Sequence, residues 1–136
     1  NHYLAGLVDT LQYDTIYHEH LRYYSVGALV KLFARHDIDI FKVTKIPTHG
    51  GSIRVYSCRK GQREIDSSVA AILNEEDKMG LTDGGILSEF HDKVVQSKLD
   101  LMKLLADIKR GGATIYGVGF ANITWQIIAL IHMRIS

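Results

Sequence analysis

The side chains best suited to chemistry are concentrated in one short segment, residues 12–25. Within these fourteen residues the chain carries two imidazoles, two carboxylates and four phenols. Histidine is the side chain whose ordinary pKa lies near neutral pH, so it can take up a proton and return it. A neighbouring carboxylate or phenol can fix the tautomer of the ring and change its basicity. The composition therefore predicts an acid–base site at Tyr17, His18, Glu19 and His20.

Two other interpretations of these four residues stay open. If they are extended, His18 and His20 share one side of the chain while Tyr17 and Glu19 share the other. Two histidines placed in this way can bind zinc, but zinc takes three or four ligands and no cysteine pair lies nearby. The order also differs from the His-Glu-x-x-His arrangement of helical metalloproteases, so we predict no metal ligand here. The remaining alternative is that the polar side chains only satisfy one another at the end of a strand.

A second candidate site lies between residues 48 and 54. Gly50 and Gly51 let the backbone approach a ligand closely, and successive N–H groups can bind an anion there. His49, Ser52 and Arg54 can add donors to a phosphate or a sugar. A long hairpin turn is the alternative interpretation.

A third candidate site is the pair Gly117 and Gly119, which follows a predicted strand and precedes a predicted helix. Phosphate groups bind at such helix N-termini. Asn122 stands where a dinucleotide-binding fingerprint has its third glycine, so an ordinary glycine turn is the simpler interpretation.

Length and composition limit the class of protein. The chain has 136 residues, enough for one domain or parts of two, with 46% apolar and 23% charged residues. The net charge of +1 predicts no strong attraction to nucleic acid or to an anionic membrane, and no stretch reaches the roughly eighteen apolar residues of a membrane span. A single cysteine, Cys58, fits a reducing cytoplasm. Because the chain opens on Asn1 and has no polar tail, we expect a piece of a longer protein.

The first half of the chain is predicted to contain two helices and two strands. Apolar spacing indicates a short helix at 3–11 and a second helix from Val26 to about His36, capped by Ser25. A strand is predicted at 38–46, with a change of phase typical of a bulge, and another at 52–59. Pro47 ends the first of these strands, and the two are expected to pair antiparallel.

The second half is predicted to be mainly helical. Asp66 or Ser67 can cap a helix that ends near Gly80, and a long helix is predicted from about residue 82 to Arg110. The apolar stripe of the long helix, from Phe90 to Ile108, predicts a surface that packs against other elements. Residues 113–118 are predicted to be a buried parallel strand, followed by an apolar helix from about residue 123.

The sequence resembles a known enzyme family in two segments taken together. Residues 12–25 contain Asp-x-Ile-Tyr-His-Glu-His, and residues 46–54 contain Ile-Pro-Thr-His-Gly-Gly-Ser-Ile-Arg. Both are similar to the S-adenosylmethionine-dependent C-methyltransferases of nucleotide-linked deoxysugars, the family that includes keto-deoxysugar C-3 methyltransferases. The resemblance extends over nearly the whole chain, to about Phe120.

The resemblance implies roles for individual residues. In this family a base removes the proton beside the carbonyl of a keto-sugar, and the resulting enolate takes a methyl group. His20 corresponds to the base, with Glu19 and Tyr17 assisting it. The residues implied to lie near the sugar nucleotide are His18, His49, Arg54, Gly117 and Gly119.

The resemblance also implies the architecture, an α/β fold in two parts. Residues 1–62 correspond to the C-terminal part of a doubly wound methyltransferase domain, and residues 63–136 to the start of a second, Rossmann-like α/β domain with a long helix. The family's S-adenosylmethionine site lies mostly upstream of this chain, as does its zinc-binding N-terminal domain. The implied partner is a nucleotide-linked sugar, and the isolated chain is expected to be inactive. A non-catalytic module that binds a nucleotide sugar or phosphate is the alternative.

Overall fold

The computed structural model describes residues 2–47 and 51–116 of the chain. Their elements are, in chain order, β1 (His2–Tyr3), α1 (Leu4–Asp9), a 3₁₀ turn (Tyr13–Thr15), β2 (Tyr23–Tyr24), α2 (Val26–Ala34), β3 (Ile38–Ile46), β4 (Ser52–Arg59), α3 (Ser67–Lys78) and α4 (Gly85–Arg110). The order is that of an α/β protein with two small sheets. One sheet is the parallel pair β1–β2 and the other is the antiparallel pair β3–β4.

The β3–β4 pair confirms both predicted strands and the predicted bulge. Its register shifts between Ile40 and Lys42, which leaves Phe41 as the additional residue. In a regular strand, residues three apart face opposite sides of the sheet. The bulge removes this difference, and Ile40 and Val43 are therefore both buried on the same core side.

Helices α2 and α3 pack with β3 in one hydrophobic core. The buried residues of this core are Val26, Ile40, Val43, Val69 and Ile72. Both helices begin at the predicted caps, because Ser25 Oγ accepts from Ala28 N at 3.0 Å and Asp66 Oδ1 accepts from Ser68 N at 2.8 Å. The core therefore joins residues from both sides of the predicted domain boundary at 62/63, and that boundary stays a prediction.

The segment that carries the predicted acid–base residues is folded back, not extended. His20 N donates to Tyr17 O at 2.9 Å, so residues 17–20 form a turn. The extended conformation that would place His18 and His20 on one side of the chain is therefore not the one adopted. The physical reason is that the ring of His20 bonds to the carbonyl oxygen of Thr15, at 2.8 Å, which draws the segment back over the 3₁₀ turn.

The long helix α4 is confirmed, although it contributes no buried residue to the core. Its predicted stripe is half-buried from Phe90 to Leu105 and exposed at Ile108. Gly112, with φ of +82°, follows the helix, and residues 113–116 are irregular and exposed. The predicted strand is absent from these four residues, since no strand of the described chain pairs with them. Its remainder, Gly117, Gly119 and the predicted helix from residue 123 lie outside the described residues.

Among residues 2–47 and 51–116, no helix combines the length and the apolar composition needed to cross a bilayer. The doubly wound sheet and the second Rossmann-like domain, which the resemblance implies, stay predictions.

Candidate active site around His20

The half-buried ring of His20 lies among three polar groups. Its Nδ1 is 2.8 Å from Thr15 O, and its Nε2 is 3.1 Å from His2 Nε2 and 3.3 Å from the Tyr17 hydroxyl. The ring centroids of His2 and Tyr17 lie 3.9 Å and 4.3 Å from that of His20. The imidazole thus has polar partners at both nitrogens, and two tilted rings lie beside it.

The carbonyl of Thr15 determines the tautomer of His20. A carbonyl oxygen can only accept hydrogen bonds, so Nδ1 must carry the proton that it donates to Thr15 O. In the neutral ring Nε2 then has an unprotonated lone pair. The Tyr23 hydroxyl donates to the same carbonyl oxygen at 2.9 Å, which helps to hold that acceptor in place. The arrangement presents Nε2 as the basic atom.

Tyr17 connects His20 to the carboxylate of Glu19. Its hydroxyl is 3.4 Å from Glu19 Oε2 and 3.3 Å from His20 Nε2. Loss of hydration raises the pKa of the Tyr17 phenol, and the negative charge of Glu19 raises it further. The phenol therefore keeps its proton and can donate it to Glu19 while its oxygen accepts from a protonated His20. This chain of contacts can stabilise an imidazolium ion.

The strand pair β1–β2 brings His2 to this cluster. In its register His2 lies opposite Tyr23, and the two rings stack with centroids 5.8 Å apart. His2 N also donates to Arg22 O at 3.3 Å. The backbone pairing therefore places the imidazole of His2 between Tyr23 and His20, although eighteen positions separate the two histidines in sequence.

Behind β1, the buried carboxylate of Glu76 fixes Tyr3 and the start of α2. Glu76 is 3% exposed, and it accepts from Val26 N at 2.6 Å and from Gly27 N at 2.9 Å. These are N–H groups that a helix N-terminus leaves unpaired, and the helix dipole favours a negative charge there. Tyr3 also hydrogen-bonds to Glu76; burial first, and then this carboxylate, raise the pKa of the Tyr3 phenol. Glu76 thereby connects α3, α2 and the strand that carries His2.

A mostly apolar cavity of about 540 Å³ opens beside His2. Its walls include Tyr24 from β2, Phe33 from α2 and Val55 from β4. A volume of this order is large enough for a ring-sized group. His2 lies at the edge of the cluster and forms part of the wall of this cavity.

The predicted site residues are only partly brought together. Tyr17, Glu19 and His20 form one cluster, whereas His18 lies on the outside of the turn, with its side chain 76% exposed and 4.0 Å from Glu19. Arg54 is exposed on β4, and the contacts of His20 do not include it. His49, Gly117 and Gly119 lie outside the described residues. The roles assigned to all eight residues stay predictions.

Sequence reasoning missed three groups that shape the site. The sequence around His2 and Thr15 does not indicate that either residue contacts His20. The Thr15 carbonyl reaches His20 through the turn, and His2 reaches it through the β1–β2 pairing. Glu76 could have been noticed as an acidic residue four positions after the apolar Ile72 on α3, on the face that the periodicity predicts to be buried.

A metal site receives no support from the described part of the chain. Within residues 2–47 and 51–116, no three His, Cys, Asp or Glu side chains lie close enough together to hold a metal ion. His18 and His20 therefore meet no third ligand within these residues.

Two comparisons with known proteins show the family of this chain. Residues 47–134 match the family model described as C-methyltransferase C-terminal domain. The chain is also similar to C-methyltransferase NovU of Streptomyces niveus, with 33% identity over 118 residues. This similarity covers 86% of the chain but 28% of the relative, so the chain spans little more than a quarter of that protein's length.

Proposed function

This chain belongs to the family of C-methyltransferase C-terminal domains, and from that premise we propose that it is part of an enzyme that methylates a carbon of a nucleotide-linked keto-deoxysugar. The methyl donor in this proposal is S-adenosylmethionine. One observation carries it: the Thr15 carbonyl, 2.8 Å from His20 Nδ1, leaves the basic lone pair on Nε2. A carbon acid beside a ketone needs a base held in this way.

In the proposed reaction His20 Nε2 removes the proton from the carbon next to the carbonyl. The electron pair of the broken C–H bond moves into the carbonyl system and gives an enolate, while His20 becomes an imidazolium ion. Nδ1–H continues to donate to Thr15 O. Nε2–H then donates to the Tyr17 oxygen, 3.3 Å away, and the Tyr17 proton points to Glu19, 3.4 Å away. Tyr17 and Glu19 thus stabilise the positive charge that forms on the base.

The substrate is proposed to contact a second set of residues. A nucleotide sugar carries a diphosphate, which cationic and backbone N–H donors bind. Arg54 and His18, both exposed, are the described candidates. His49, Gly117 and Gly119 complete the proposed set, and nucleic acid and membranes are not proposed as partners.

The bound donor would supply an electrophilic methyl group, and the described residues do not make a site for it. Such cofactors are held where a strand runs through a glycine-rich loop into a helix. Within residues 2–47 and 51–116, β1 runs directly into α1, and β2 runs into α2 through Ser25 alone. β4 leads to α3 through a connection with the single glycine Gly61. We therefore place the donor site, and the family's zinc domain, in parts of the enzyme outside this chain. The chain would then continue a doubly wound methyltransferase sheet and begin a second Rossmann-like domain after residue 62.

Replacement of His20 by asparagine in the complete enzyme tests this proposal. The side-chain amide of Asn can still donate to Thr15 O but cannot act as a base. We expect His20→Asn to reduce methyl transfer from S-adenosylmethionine to a keto-deoxysugar nucleotide by at least about 100-fold, the size typical of a lost general base. Binding of the nucleotide sugar, measured by calorimetry, should change by less than about threefold.

The matched control is His36→Asn, because His36 is an exposed histidine just after α2. His36→Asn should leave both methyl transfer and nucleotide-sugar binding unchanged. Equal loss of binding and turnover in His20→Asn would indicate a binding or folding role instead. A wild-type protein that binds the nucleotide sugar but neither methylates it nor exchanges its proton with D₂O would favour the non-catalytic module.

A further inference from the structure

Another cavity, of about 400 Å³, lies where α1, the end of the β3–β4 pair and α3 meet. It shares Tyr3, Ile46 and Ser52 with the cavity beside His2, so the two cavities adjoin. The groups that contact His20 do not line it. Its volume lies within the range of small-molecule sites, and it therefore offers a ligand a second place next to the candidate active site.

Gly6 lets the end of the β3–β4 pair lie directly against α1 on one side of this cavity. A Cβ atom at Gly6 would lie 3.0 Å from Gly51 O, which is a backbone atom. Gly6 lies inside α1, where glycine is less favourable than alanine. The helix thus carries its least favourable small residue at the point where a side chain would push the Gly51 carbonyl away. Since both glycines line the cavity, its shape depends on this contact.

One part of the cavity wall is apolar. It consists of Ile46, Pro47 and Met79, together with the ring of Tyr3, whose hydroxyl bonds to Glu76. These side chains favour contact with an apolar surface, such as the flat face of an aromatic ring. Every nucleobase has such a face.

The other part of the wall is polar and can both accept and donate hydrogen bonds. The carboxylates of Asp9 and Glu75 only accept, and the ammonium group of Lys45 only donates. Thr10 Oγ1 donates its proton to Gly6 O at 2.7 Å, so its lone pairs can accept from a ligand. Glu75 and Lys45 form an ion pair, and both side chains are more than half exposed. Two carboxylates and one ammonium group give the lining a net negative charge.

These properties match a nucleoside better than the other parts of a nucleotide sugar. A pentose hydroxyl can donate to a carboxylate and accept from an ammonium group, as in dinucleotide sites where an acidic side chain binds the ribose. A diphosphate carries negative charge, so two carboxylates oppose its binding. The keto-sugar has to reach His20, which does not line this cavity. The nucleoside is therefore the part of the substrate that fits.

We propose that this cavity binds the nucleoside of the substrate, with the pentose hydroxyls on Asp9 and Thr10, and that Gly6 is a positioning residue that gives the cavity its shape. The proposal rests on the proposed function, which identifies the substrate as a nucleotide sugar. Ser52 lies in the wall that both cavities share, and Arg54 projects from the same side of β4. The diphosphate would cross at these two residues, between the nucleoside and the keto-sugar in the adjoining cavity.

Calorimetry on the complete enzyme tests the site with ligands that lack the transferred sugar. UDP, dTDP, CDP, ADP and GDP are titrated first, and the one that binds most tightly is the probe. Asp9→Ala removes an acceptor for a pentose hydroxyl and should weaken binding of the probe by about tenfold or more, the size typical of a hydrogen bond to a charged group. If Asp9 acted only through its charge, its removal would strengthen the binding of this anionic probe.

Gly6→Ala tests the positioning role. The added methyl group has to move the Gly51 carbonyl or enter the cavity, and we expect the probe to bind about fivefold or more weakly. Pyrophosphate has no nucleoside, and its binding should not weaken in either variant. The matched controls are Asp92→Ala, at an exposed carboxylate on α4, and Gly111→Ala, where the new Cβ would lie 3.5 Å from Ile108 O. Both controls should bind the probe like the wild-type enzyme.

Weaker binding of the probe in Asp9→Ala, without weaker binding of pyrophosphate, supports the site. Unchanged or tighter binding of the probe, or an equal loss of pyrophosphate binding, overturns it, as does a wild-type enzyme that binds none of the five diphosphates. If Asp9→Ala weakens S-adenosylmethionine and not the probe, the negatively charged cavity binds the cationic donor and the proposal is wrong. If Gly6→Ala does not fold, Asp9→Ala still decides, because it changes an exposed residue.

Turnover separates this inference from the proposed function. In an enzyme that methylates a keto-deoxysugar nucleotide, Asp9→Ala and Gly6→Ala should raise KM by about the factor lost in binding and change kcat by less than about threefold, because neither residue contacts His20. If methyl transfer occurs and KM does not change, only the inference about the cavity is wrong. If the probe binds as expected but no substrate is methylated, the proposed function fails and the nucleoside site stands.

Discussion

The buried carboxylate of Glu76 connects the strand that carries His2 to the first turn of α2. Both of its oxygens accept backbone N–H groups, from Val26 and Gly27, and it also binds the Tyr3 hydroxyl. A charge that is 3% exposed is tolerated only when it is paired in this way. Because Tyr3 is the neighbour of His2 in β1, the same carboxylate also limits where His2 can lie.

Replacement of Glu76 by glutamine should therefore destabilise the fold, although the two side chains have nearly the same size. The amide has one acceptor oxygen and an NH₂ group, so at least one buried N–H would face another donor. We expect the free energy of unfolding, measured with urea, to fall by about 1–3 kcal/mol.

The matched control is the neighbouring Glu75→Gln. Glu75 is exposed and forms an ion pair with Lys45, and such surface pairs contribute about 0–1 kcal/mol. If Glu76→Gln costs no more than Glu75→Gln, the buried carboxylate does not have the structural role described above.

At the scale of whole elements, α3 and α4 differ in what their apolar faces meet. Val69 and Ile72 of α3 are buried against β3, whereas α4 buries none of its residues. The packing predicted for the stripe of α4 is therefore met only by half-buried side chains. Sequence periodicity predicted both apolar stripes, because each repeats at helical spacing. It could not show that the two differ in burial, since the contacts of a face depend on residues distant in sequence.

The difference predicts unequal effects of truncation in the two helices. Ile72→Ala removes buried atoms next to Ile40 and Val43 and should lower the free energy of unfolding by about 2–5 kcal/mol. Leu104→Ala, on α4, removes a side chain that is 56% exposed and should change it by less than about 0.5 kcal/mol. Urea denaturation of both variants measures this. Comparable losses of unfolding free energy in the two variants would mean that the apolar side chains of α4 are buried in solution.

The elements that sequence predicted well are those with local signals. Ser25 and Asp66 are cap residues, Pro47 ends a strand, and the change of phase in residues 38–46 indicates the bulge at Phe41. The turn at residues 17–20 and the β1–β2 pair were missed because they depend on the Thr15 carbonyl and on a two-residue register. The catalytic candidates were therefore found as residue types, but their geometry was not.

At the scale of the whole molecule, the hydrophobic core of α2, α3 and β3 contains residues from both sides of the predicted domain boundary at 62/63. Residues 1–62 supply Val26, Ile40 and Val43, and residues beyond 62 supply Val69 and Ile72. They also supply Glu76, which binds the N-terminus of α2. A boundary at 62/63 would separate groups that bury one another, although family resemblance predicts it there.

Two truncated chains distinguish these possibilities. A chain of residues 1–62 lacks α3, and we expect it to show no cooperative thermal transition by circular dichroism, because its half of the core and the first N–H groups of α2 would be exposed to water. A chain of residues 1–84 retains α3 and should unfold cooperatively. Among the described contacts it loses those of α4, such as the 3.3 Å hydrogen bond between Tyr13 and Ser97. Cooperative unfolding of residues 1–62, with the amide shifts of the β3–β4 pair preserved, would instead show that this part folds without α3 and that the predicted boundary is real.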